Sequence, residues 1–107
     1  MREAFAHDVP AEAFARVRPL IVPEPTTPLR ETISVSEEKW GQIPRYYVEC
    51  TADNAIPSDV QRAMYTAIPV KQVFSLKTSH APNFSAPKEL AGYLQIVAEG
   101  EKQAAAR

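Results

Sequence analysis

The 107-residue chain carries 12 basic and 13 acidic side chains, a formal net charge of -1, and 45% hydrophobic residues. A balance so near neutrality gives no electrostatic reason to seek nucleic acid or an anionic membrane, and no apolar run approaches the length that spans a bilayer. The length fits one small domain or part of a larger one.

Ten prolines stand against three glycines, and glycine is what tight phosphate-binding loops consume. Gly41, Gly92 and Gly100 are too scattered for a dinucleotide or Walker-type loop, so no cofactor is expected. The start of the chain, Met1 to Asp8, lacks the apolar stretch of a secretion signal, and the lone cysteine, Cys50, has no partner for an internal disulfide. Both features point to a cytoplasmic protein.

In chain order, Pro10 to about Val17 reads as a short helix with Asp8 placed to cap it and Phe14 and Val17 on an apolar face. Pro19, Pro23, Pro25 and Pro28 then forbid continued helix or central strand, so the chain to Leu29 is expected to be an extended connection. Thr32 to Val35 reads as a short edge strand, and Ser36 to Trp40 as one helical turn stopped by Gly41. Arg45 to Thr51, rich in aromatic and β-branched residues, predicts a buried strand. Pro57 and Ser58 open a helix: Ser58 and Gln61 have capping-box spacing, Val60, Met64 and Ala67 or Ile68 supply the apolar period, and Pro69 ends it. Lys71 to Leu76 predicts a second strand, followed by a loop from Lys77 to Phe84. Ser85 is expected to cap a final helix with Leu90, Tyr93, Leu94 and Val97 on one stripe, and the tail from Glu101 is expected to fray.

Strand, helix, strand is the pattern of a parallel β-α-β unit, in which the carboxyl ends of both strands lie along one rim of the sheet. Asp53 follows the first strand and His80 the second, so an acid and an imidazole can meet there. Singly, an aspartate followed by Asn and then Pro is a turn former, and a loop histidine is solvated; the pairing gives them chemistry. Asp59 competes for the role of acid, but it falls in the first turn of a helix, where the dipole accounts for it. The same holds for Glu37 and Glu38. His7 and His80 have no metal-ligand spacing, and Cys50 in mid-strand reads as a small buried hydrophobe. Trp40, Tyr46, Tyr47 and Phe84 read either as pocket walls or as packing.

The segment Ile43 to Gln61 resembles the C-terminal third of an α/β-hydrolase, more narrowly the methylesterase and hydroxynitrile-lyase branch with its bacterial relatives. That branch places its acid in Cys-Thr-x-Asp-x-x-Ile-Pro followed by Gln, matched here at Cys50, Thr51, Asp53, Ile56, Pro57 and Gln61. Leu76 to Leu90 is similar to the branch's histidine loop and closing helix, and Phe5 to Val9 with Leu20 to Pro25 resembles the end of its helical cap. The resemblance implies that residues 1–42 are the end of a cap and a Pro-rich connection. It implies too that residues 43–107 are the C-terminal β-α-β-α part of the core, with two parallel strands. It casts Asp53 as the triad acid and His80 as the base. Lyases of the branch commonly place lysine directly after the histidine; Ala81 stands there, favouring hydrolysis of a small carboxylic ester. Plant esterases usually show Asp-His-Met where this chain has Ser79-His80-Ala81.

None of the six serines (34, 36, 58, 75, 79 and 85) has the glycine neighbours of a nucleophile elbow, so the chain is expected to supply acid and base without a nucleophile and to be inactive alone. Two exposed strand edges imply self-association or a complementary N-terminal hydrolase polypeptide. Two rival readings are half of a split hydrolase and a non-catalytic binding or assembly fragment.

Overall fold

The computed structural model describes residues 1–106. Two five-residue parallel strands, β1 (Tyr46–Cys50) and β2 (Gln72–Leu76), pair in the register Tyr46 with Gln72 through Cys50 with Leu76. The crossover is α3 (Ser58–Ala67), and the chain closes with α5 (Pro87–Ala105). Ahead of the sheet come two short helices, α1 (Arg2–Phe5) and α2 (Ala11–Val17); α4 (Pro82–Ser85) lies in the loop after β2.

Alternation along the strands decides which helix covers which face. Tyr46, Val48 and Cys50 share a face with Phe74 and Leu76, and there Phe74 stacks on Tyr93 of α5 at 4.6 Å between ring centroids. Tyr47 and Glu49 point the other way, toward α3: Tyr47 meets Tyr65 at 5.1 Å, and the buried Glu49 carboxylate pairs with Arg62 at 2.8 Å while accepting from the Ser75 hydroxyl. A helix on each face of a parallel pair is the layering such strands demand.

Several local expectations are overturned. Asp8 does not cap α2, whose first turn has no side-chain cap; its carboxylate reaches the loop after β2 instead. Thr32 to Val35 forms no strand: it pairs with neither free edge of the β1–β2 sheet and lies exposed. The Pro-rich connection is broken by 3₁₀ turns at Arg18–Leu20 and Thr27–Arg30, where proline sits at an early turn position that its fixed φ suits. A third 3₁₀ turn, Trp40–Gln42, runs through Gly41 rather than stopping at it.

Ser58 and Gln61 make no capping box. Gln61 instead turns inward onto the backbone of Cys50 and Ile56. Ser85 does not cap α5 either, since its hydroxyl donates back to the Ala81 carbonyl at the entrance of α4, a turn that interrupts the expected loop. The tail expected to fray is helical to Ala105. Glu101 explains this: its carboxylate accepts from the Tyr46 hydroxyl and pairs with Lys71 at 2.6 Å, tying the last turns to the start of both strands.

Candidate active site

Backbone pairing carries on past the assigned strands. The Thr51 amide donates to Leu76 O at 2.8 Å and the Ala52 amide to Thr78 O at 3.1 Å, so the two chains leave the sheet side by side. Asp53 lies one residue beyond the first exit and His80 two residues beyond the second. Their side chains meet: His80 Nδ1 and Asp53 Oδ2 are 2.8 Å apart.

The two oxygens of Asp53 divide the work. Oδ1 accepts the amides of Ala55 at 2.7 Å and Ile56 at 3.0 Å, closing the turn that leads into α3, while Oδ2 faces the imidazole. The turn-forming and the imidazole-holding readings of this residue are thus both satisfied by one carboxylate. Its side chain is 4% exposed against 37% for His80. Burial opposes ionisation of Asp53, yet hydrogen bonds from Ile56, His80 and Ala55 outweigh it and hold the carboxyl below its ordinary value. An acceptor on Nδ1 fixes that nitrogen as the donor and leaves Nε2 as the basic atom of a neutral ring.

Gln61 supports the turn from beneath. Its side chain is buried, accepts from Cys50 N at 3.0 Å, and donates to Cys50 O at 2.9 Å and Ile56 O at 2.7 Å. It therefore ties the last residue of β1 to the end of the Asp53 turn.

The N-terminal segment roofs this rim. His7 Nε2 donates to Ala52 O at 2.7 Å, Asn54 Nδ2 to Glu3 O at 3.1 Å, and the hydroxyl of the fully buried Ser79 to Phe5 O at 3.1 Å. The Phe5 ring stands edge-on to the His80 imidazole, 5.2 Å between centroids at 74°. Beside it opens an apolar cavity of about 460 Å³ with Phe5, Val9, Phe14, Val17, Ala81 and Phe84 in its wall. Of the aromatic residues considered for a pocket, Phe84 alone lies here. Trp40, Tyr46 and Tyr47 line a second hollow of about 410 Å³ near the start of β1, where the Arg45 guanidinium covers the Trp40 ring at 4.2 Å.

Among the described residues no cluster of three metal-ligating side chains occurs. Burial pushes the Cys50 thiol up, away from the thiolate form a nucleophile needs. The sequence reading missed the roles of Phe5, His7, Asp8 and Ser79. Only the polar His7-Asp8 pair between apolar Ala6 and Val9 hinted that the segment docks on something.

No family model matches the chain. Methylesterase 7 of Arabidopsis thaliana is 40% identical over 90 residues, 83% of this chain and 33% of that protein. This chain matches the C-terminal part of the methylesterase branch of the α/β-hydrolases. The putative chloroplastic methylesterase 13 of the same plant is 38% identical over 91 residues, 84% of this chain and 20% of that protein. The crystal structure of polyneuridine aldehyde esterase superposes with a TM-score of 0.83 at 21% identity, covering 92% of this chain and 40% of that one. The chain thus spans about a third of the first methylesterase and a fifth of the second, and the solved structure shows the same fold over that span. The α/β-hydrolase architecture expected from the Cys50 to Gln61 motif is the one found.

Proposed function

We propose that this chain is the acid-base portion of a carboxylic ester hydrolase, with Asp53 and His80 as two members of a Ser-His-Asp triad. The observation that carries the proposal is the 2.8 Å contact between His80 Nδ1 and a buried, ionised Asp53, in a chain similar to methylesterases. With Nδ1 occupied, His80 Nε2 takes the proton of an attacking serine hydroxyl and passes it to the departing alkoxide; Asp53 stabilises the imidazolium between those events. Water then releases the acid from the acyl-enzyme by the same route in reverse. The apolar cavity walled by Phe5, which packs on His80, and by Ala81, the residue after it, suits a small ester with an apolar acyl or alcohol group.

Four of the six serine hydroxyls are committed elsewhere. Ser58 donates to Thr51 O, Ser75 to Glu49, Ser79 to Phe5 O and Ser85 to Ala81 O, while Ser34 and Ser36 lie exposed in the irregular segment before Trp40. On this reading the nucleophile and its oxyanion amides are supplied by hydrolase sequence bearing a nucleophile elbow outside these 107 residues.

Hydrolysis of p-nitrophenyl acetate tests this. The 107-residue chain alone is expected to show no turnover above the solvent rate. Mixed with a polypeptide bearing that elbow it is expected to turn over, with His80→Ala returning the rate to background and Asp53→Asn lowering it by roughly four orders of magnitude, the cost of the wrong imidazole tautomer. Turnover in the mixture that survives His80→Ala would refute the assignment, and His80-dependent turnover by the chain alone would show that it holds its own nucleophile.

A further inference from the structure

Beyond β2 the last ladder bond is accepted by Thr78 O, and the next residue, Ser79, is completely buried with no strand partner for its amide. An orphaned buried amide is expensive. Asp8 supplies the acceptor, its Oδ2 lying 2.8 Å from Ser79 N across 71 positions of sequence. The Asp8 backbone is itself held in place: Arg2 donates to Val9 O at 2.8 Å, His7 to Ala52 O, and the Val9 amide to Ala6 O. Ser79 returns the contact by donating its hydroxyl to Phe5 O, and Phe5 is the ring that packs edge-on against His80.

Resting on the Asp53-His80 reading above, we infer that Asp8 is a positioning residue for His80. By receiving the Ser79 amide it sets where the loop leaves the sheet, and so holds the imidazole between the Asp53 carboxylate and the Phe5 ring. The alternative roles for this carboxylate fail on the geometry. It caps no helix, and among the described residues it forms no ion pair. Burial works against its ionisation, but hydrogen bonding from Ser79 prevails and keeps its carboxyl below the ordinary value.

Hydrogen exchange followed by NMR on the full chain reads this out without any turnover, so it stands or falls separately from ester hydrolysis. Asp8→Asn keeps an acceptor but loses the charge; the Ser79 amide and the His80 Nδ1 proton are each expected to exchange about tenfold faster. Asp8→Ala removes the acceptor, and about hundredfold is expected at both sites, with the amides of α5 unchanged. Asp59→Asn, on an exposed helix turn, is expected to alter neither. Exchange at His80 Nδ1 that stays at the unaltered chain's rate in both Asp8 variants would overturn the inference, even if Ser79 exchange rose. Acceleration spread equally over α5 would overturn it too, by reducing Asp8 to a general stabiliser. Should circular dichroism show Asp8→Ala unfolded, Asp8→Asn decides alone.

Discussion

Asp53 is held by three hydrogen bonds to two oxygens, and its proton affinity in the folded chain falls below the ordinary 3.8 despite burial. The carboxyls of Asp8 and Glu101 are lowered as well, the latter first by Lys71 and then by Tyr46. A carboxyl that ionises more readily when folded stabilises the fold above its unfolded value and loses that contribution as pH falls through the folded value. Stability is therefore expected to hold from neutrality to about pH 5 and to drop steeply below about pH 4. Asp53→Asn should lower the neutral-pH denaturation midpoint and also flatten the acid limb, because one of the lowered carboxyls is gone. Urea midpoints at pH 6 and pH 3.5 check this; an unchanged difference between them would remove Asp53 from the acid transition. The residue itself was legible in sequence because a carboxylate after one strand and a histidine after the next have few places to go in a parallel unit. Asp8 was not, because a carboxylate just before a helix has a ready local explanation and its true partner lies at the far end of the chain.

At the scale of elements, β1, α3, β2 and the body of α5 follow from local pattern: aromatic and β-branched runs for the strands, proline at the entrances of the helices. What pattern could not supply was the use of polar residues between elements. Gln61 had capping-box spacing with Ser58, yet it folds inward because Cys50 N, Cys50 O and Ile56 O are more costly to leave unpaired than a helix end that solvent can reach. Gln61→Ala orphans three backbone groups at once and is expected to destabilise the chain by roughly 2–5 kcal/mol. The loss should concentrate at the Asp53 turn, visible as exchange of the Ala55 and Ile56 amides before those of α5. Gln61→Glu keeps the acceptor for Cys50 N but no donors, and should recover little. Full retention of stability in Gln61→Ala would mean that water reaches this corner. The helical tail is a second case: nothing near Glu101 in sequence announces an anchor, since Tyr46 and Lys71 arrive through the sheet. Tyr46→Phe combined with Lys71→Ala should fray α5 beyond Val97 and leave its first turns intact.

The whole molecule exposes more surface than its mass warrants. A folded monomer of 11.9 kDa is expected to present about 5,900 Å², whereas this chain presents 8328 Å². Its radius of gyration is 16.2 Å against about 13 Å for a compact domain of this length. Part of the excess is the irregular connection before β1, where Leu20, Leu29 and Ile33 are about four-fifths exposed. The rest lies on the core: Val60, Met64 and Ile68 along α3, Leu94 and Ile96 on α5, and Val73 on β2 all face outward. Leu94 shows the limit of the sequence reading, which placed it on the buried stripe of α5; the stripe exists, but only Leu90, Tyr93 and Val97 of it are partly covered here.

An apolar face of this extent, beside two strand edges with unpaired backbone groups, is surface that the proposed nucleophile-bearing polypeptide, or another copy, would cover. The excess exceeds the roughly 800 Å² that each partner buries in a standard interface, so the part of it on the core leaves room for one. In isolation at micromolar concentration the chain is expected to sediment above its 11.9 kDa monomer mass and to bind an apolar dye. Met64→Lys with Leu94→Lys should shift it toward monomer without loss of helix signal, because both side chains already stand in solvent. Addition of the complementary polypeptide should replace the self-association with a one-to-one complex and suppress dye binding. A monomeric mass with a sharp, reversible thermal transition and no dye binding would show that two strands and five helices suffice to bury this core, and the case for a second polypeptide would fall with it.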